Sequence, residues 1–130
     1  MFSSTVISRR FSGIALLSWM AVIFTLSSLP GSGGDFSPPL WYILERKGAH
    51  VAEFFILAFL AASFLSTYDF FQKKRLLFFC FVVLFCVSYA FSDELHQSFV
   101  FGRGARFTDV LIDTGGALLG ASVFFFWKKR

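Results

Sequence analysis

With 130 residues, 56% of them hydrophobic, only 15% charged and a mean hydropathy of +0.69, the chain is too apolar for a soluble domain, where about 45–50% apolar and roughly 25% charged residues are usual. The formal net charge of +4 invites a nucleic-acid reading. The basic residues, however, come in short clusters at the ends of apolar runs and form no surface stripe, so no nucleic acid is expected as a partner and a lipid bilayer is.

A spanning helix takes about 20 mostly apolar residues, and four stretches qualify. The first covers roughly 11–29, behind Arg9-Arg10, and closes at "LPGSGGDFSPP", a loop by its Gly and Pro content. It is longer than a signal-peptide core and no A-x-A site follows it, which argues for a retained span. The second covers roughly 47–67 and stops before "KKR" at 73–75. The third covers 76–97 and the fourth 108–127, followed by the basic residues that close the chain. Short connections predict antiparallel neighbours. The fold class is therefore all-α, a small integral membrane four-helix bundle, with residues 1–130 forming a single domain. Cys80 and Cys86 lie in one apolar run; they read as buried thiols on different helix faces that cannot bridge each other.

Charge sets the expected orientation. Arg9, Arg10, Lys73, Lys74, Arg75, Lys128, Lys129 and Arg130 fall at one end of the spans, and Arg46, Lys47, Arg103 and Arg106 at the other. Both termini are expected in the cytoplasm. The remaining polar residues then gather at the outer end. An acid at the centre of a spanning helix costs about 2.5–3.5 kcal/mol on insertion scales, so such residues should face the bundle interior and pair, because lipid offers no hydrogen bonds.

Helical spacing sharpens this. His50 and Glu53 are i, i+3, with Arg46 one turn before His50. Asp93 pairs in spacing with both His96 and Gln97, whereas Glu94 points about 100° away from Asp93. Asp109 and Asp113 are i, i+4, and Gly116 and Gly120 extend that row. Small residues there let a neighbouring helix approach closely.

These residues carry a resemblance. "KGAHVAEFFILAFL" followed by "YAFSDELHQSFVFGRGARFTDVLIDTGGALLG" resembles the VanZ-like family over roughly 47–120. The markers are Lys47, His50 and Glu53; Asp93, Glu94, His96 and Gln97; Gly102 and Arg103; Asp109 and Asp113; Gly116 and Gly120. The family often carries Asn where this chain has Asp113. The resemblance implies a small polytopic protein of a bacterial-type plasma membrane, with a cell-envelope role linked to tolerance of teicoplanin, a lipid-tailed glycopeptide. It implies no reaction.

Three readings of the polar set stay open. It can be a packing network that locks three helices. It can be a catalytic pocket, with Glu94 and His96 as the acid–base pair, His50 second, and Arg103 and Lys47 clamping a phosphate or carboxylate of a lipid-linked envelope precursor. It can bind an amphiphile, a glycopeptide among them, without reacting. In the last two readings Glu53, Asp93, Gln97, Asp109 and Asp113 complete the ligand-binding or polar network. His50, Glu53, Glu94, His96 and Asp109 are ligand types for zinc or manganese, but their spacings fit no standard motif and no metal is assigned.

Overall fold

The computed structural model describes residues 2–33 and 37–128, with side chains from residue 8 onward. Five helices follow in chain order: α1 (Phe2–Ser27), α2 (Leu40–Leu65), α3 (Asp69–Lys73), α4 (Arg75–Gln97) and α5 (Phe107–Lys128). Four are long and apolar enough to cross a membrane; α1 is so from Ser8. No strand is present among the described residues. The expected four-helix membrane bundle is therefore the architecture, with α3 as an addition. Lys129, Arg130 and the centre of the first loop (34–36) lie outside the described residues.

Two helix starts differ from expectation. α1 begins at Phe2, because nothing before Arg9 breaks it. α2 begins at Leu40, directly after Pro38-Pro39, with Pro39 at φ −66° and ψ 158° as its cap. Proline is the last breaker before a helix. Glu45, Arg46 and Lys47 are good helix formers and do not interrupt it. Glu53 consequently sits nearly four turns into α2, twice the expected depth. α3 occupies the basic connection, with Asp69 in its first turn and Lys73 in its last, charges that suit the helix dipole. Phe71 anchors it against Phe78 at 5.7 Å between ring centroids.

The tightest packing joins α2 to α5. A β-carbon on Gly116 would stand 2.5 Å from the Val51 carbonyl oxygen, and one on Gly120 would collide with that of Phe55. The two backbones touch because these positions lack side chains. α4 closes the core with Phe78, Val82, Cys86 and Ala90, against Phe54, Leu57 and Ala58 of α2 and Ala117, Ala121 and Phe124 of α5. Cys86 is buried as expected; Cys80 faces outward and is exposed, and both are free thiols.

Among the described residues α1 contributes Leu16 and Ile23 to that buried core, with Trp19 and Met20 packed against it. It is pinned by side chains donating to carbonyls of the neighbouring strand of chain: Trp19 Nε1 to Glu53 O at 2.9 Å, Tyr89 O–H to Met20 O at 2.7 Å, and Arg9 Nη2 to Thr67 O at 3.0 Å. In α2 and α4 the buried stripe turns from apolar to polar toward one end, and on α5 the buried Asp113 interrupts it one turn inside the buried Val110. Core residues give way to His50 on α2 and to Asp93, Glu94 and Gln97 on α4. These residues and Asp113 lie at the end of the bundle where α1 finishes.

Candidate functional site

Tyr42, Glu45, Arg46, Ala49, His50 and Glu53 recur every three or four residues along α2, so they form one face. That face walls a cavity of about 360 Å³. Leu26 and Ser27 from the end of α1, Leu29, Pro30 and Gly31 from the loop after it, Asp93 and Gln97 from α4, and Arg103 from the α4–α5 loop complete the lining. A smaller cavity of about 130 Å³ lies alongside and shares Tyr42, Arg46 and His50 with the first. The two loops at this end are held together by Gly31 N–H donating to Phe101 O at 2.9 Å, and by a close backbone approach at Gly102. Gly102 has φ +74°, a conformation that favours glycine.

The polar residues divide into those that join helices and those that face the cavity. His50 Nδ1 lies 3.0 Å from Asp113 Oδ1, with Asp113 wholly buried. Lys47 Nζ lies 3.8 Å from Asp109 Oδ1, one turn nearer the bundle end. Both contacts tie α2 to α5. Glu94 Oε2 accepts the Arg106 backbone N–H at 2.8 Å, which ties α4 to the start of α5. His96 leaves this cluster altogether: it stacks on Phe24 at 4.4 Å, and its Nε2 lies 2.9 Å from Ser28 Oγ.

Around the cavity a relay runs from the loop into α4. Arg103 Nη1 donates to Gln97 Oε1 at 3.3 Å, and Gln97 Nε2 donates to Asp93 Oδ2 at 2.7 Å. Arg103 Nη2 also donates to Leu26 O at 3.3 Å, fastening the end of α1. Three buried atoms lack a partner among the described residues: Arg103 Nε, Glu94 Oε1 and Asp113 Oδ2. Burial, and after it the charge of Arg46, pushes the Arg103 guanidinium below its ordinary pKa, while Asp93, Glu53 and Tyr42 oppose this. It stays a cation, because an arginine begins above about 12. Among the described residues no three His, Cys, Asp or Glu side chains gather as a metal-binding group.

The sequence profile of the VanZ/LLP1 family matches residues 11–128, a stretch that includes every cavity-lining residue and every residue joining α2, α4 and α5 named above. The chain belongs to the VanZ/LLP1 family. Neither the curated proteins nor the solved structures offer a match.

Within this family member, the segments that look continuous in sequence are parted in space. Of Lys47, His50 and Glu53, the first two reach α5 and Glu53 lines the cavity with His50. Of Asp93, Glu94, His96 and Gln97, only Asp93 and Gln97 line it. Glu94 and His96, expected as a pair, are not brought together. Residues two apart on a helix are about 200° apart around it, so one faces α5 and the other α1. Tyr42, Glu45 and Ser27 were not expected at the site. The period of Tyr42, Glu45, Arg46, Ala49, His50 and Glu53 was available as a signal, but it becomes visible only once α2 is allowed to begin at Leu40.

Proposed function

We propose that this VanZ/LLP1 family member lies in a bacterial-type plasma membrane with both termini in the cytoplasm. There it holds the phosphate-bearing head group of a lipid-linked envelope precursor, or of a related amphiphile, in the cavity at the outer end. The observation that carries this reading is that Arg46 and Arg103 wall one cavity together. Arg46 has neither an ion pair nor a hydrogen bond among the described residues. Two like charges facing a common space at the membrane boundary repel each other, and an anion between them relieves that repulsion with charge-assisted hydrogen bonds. Leu26, Leu29 and Pro30 on the same wall give an apolar flank for the start of a lipid tail. A protein that engages such amphiphiles in the outer leaflet would alter the action of a lipid-tailed glycopeptide such as teicoplanin.

One observation favours a catalytic version. His50 lines the cavity while Asp113 fixes its Nδ1, and Nε2 has no hydrogen bond among the described residues. A carboxylate that orients one imidazole nitrogen leaves the other suited to proton transfer. Lys47, Asp109 and Glu94, by contrast, have packing roles sufficient to explain them.

The test uses purified protein in a neutral detergent. At a hundredfold excess over its Kd a prenyl phosphate should stabilise the protein by about 2.7 kcal/mol, and it should raise the melting temperature more than the matching prenyl alcohol at equal concentration. Arg46→Gln should abolish the difference. An equal response to alcohol and phosphate refutes the reading. In cells, expression should change teicoplanin susceptibility, and Arg46→Gln should reverse that change at equal protein level.

A further inference from the structure

Arg46 and Glu53 stand at i and i+7 on α2, two turns apart on the face that walls the cavity. Their charges are opposite, and among the described residues neither side chain has a hydrogen bond or an ion pair. The other charged groups of the cavity are accounted for. Asp93 accepts from Gln97, and Arg103 donates to Gln97 and Leu26. Glu45 is exposed at the rim, where water satisfies it. Glu53 is only partly exposed and lies within a span, where an ionised carboxylate needs a donor.

The cavity thus has two poles. Arg46 and Arg103 form the cationic one, and Glu53 with Asp93 the anionic one. On an ideal helix the Cα atoms of Arg46 and Glu53 are about 10 Å apart, and their long side chains shorten the span that a ligand must bridge. A purely anionic head group satisfies the arginines and leaves Glu53 repelled and without a donor. A purely cationic one leaves the two guanidinium groups facing each other.

We propose that the head group is zwitterionic, an ammonium at Glu53 and Asp93 joined by a short linker to a phosphate at Arg46 and Arg103. This rests on the phosphate-binding reading above and narrows it. Phosphoethanolamine is the simplest group with this chemistry, either as a lipid head group or as the soluble molecule.

The experiment measures binding to the full-length protein in neutral detergent by isothermal titration. The probes are lysophosphatidylethanolamine, lysophosphatidylglycerol with the same acyl chain, and free phosphoethanolamine. The ethanolamine lipid should bind about tenfold more tightly than the glycerol lipid, the difference one charge-assisted hydrogen bond supplies. Glu53→Gln should bring the two lipids to equal affinity by weakening the ethanolamine form alone, whereas Arg46→Gln should weaken both. Free phosphoethanolamine binding as tightly as the lipid assigns the site to the soluble molecule; weaker binding assigns it to the lipid, and either supports the zwitterion. A wild-type protein that binds the glycerol lipid as well as the ethanolamine lipid overturns the proposal while leaving phosphate binding intact. So does a preference that survives Glu53→Gln. Failure of every probe also overturns the zwitterion, and the prenyl phosphate comparison then decides the phosphate-binding reading separately.

Discussion

Gly115 and Gly116 are adjacent in α5, yet alanine should act oppositely at the two. A β-carbon at Gly115 meets nothing within 4 Å, whereas one at Gly116 stands 2.5 Å from Val51 O and 3.1 Å from its Cα. Both partners are backbone atoms of α2, so no side chain can rotate away, and the helices must part by about 1 Å to restore ordinary contact. Gly116 lies one turn from Asp113, and Val51 adjoins His50. The same displacement would stretch the 3.0 Å His50–Asp113 contact to about 4 Å, beyond hydrogen-bond range. Overpacking costs about 1–3 kcal/mol. A lost interhelical hydrogen bond in a membrane bundle adds about 0.6–1.7 kcal/mol. The helix-propensity gain from Gly to Ala is the same at both sites and cancels in the comparison. Gly116→Ala should therefore be about 2–4 kcal/mol less stable than Gly115→Ala, read by equilibrium unfolding in mixed detergent micelles. Equal stability of the two variants would refute the claim that α2 and α5 pack backbone to backbone.

Three further outcomes follow from the same contacts. A double-mutant cycle on His50→Leu and Asp113→Leu should show each single variant destabilised by about 1–3 kcal/mol, because a buried partner is left unsatisfied, and the double variant less affected than the sum; strict additivity would show that the pair does not interact. Glu94→Gln should keep an acceptor for the Arg106 amide and remain near wild-type stability, whereas Glu94→Leu should cost about 1–3 kcal/mol and speed hydrogen exchange at Arg106; indistinguishable variants would remove the role given to Glu94. For orientation, a fluorescent protein fused after the last residue should light up in the cytoplasm and a periplasmic phosphatase fusion should be inactive, the reverse pattern inverting the proposed topology.

How far the residues announced this arrangement depends on the range of the interaction. The four spans were legible because lipid imposes a length and a composition on any crossing segment. Gly116 and Gly120 were legible as a contact row because helical period alone puts them on one face with Asp109 and Asp113. The start of α2 was misjudged because Glu45, Arg46 and Lys47 look like a boundary by charge, while the true stop signal is Pro38-Pro39 seven residues earlier. That single displacement hid Tyr42 and Glu45 from the site.

The sequence by itself therefore determined the membrane setting, the number of spans and the gathering of polar residues at one end, since each follows from local composition and period. Which polar residue meets which was decided only by the tertiary structure. Glu94 and His96 sit two residues apart and serve different neighbours; His50 and Asp113 sit 63 residues apart and share a hydrogen bond. The rotation of each helix about its own axis, fixed by the glycine contact of α2 with α5 and by the pinning of α1, sorts these side chains into helix joints and cavity wall. No local pattern encodes that rotation, because it is set by packing among all four spans at once.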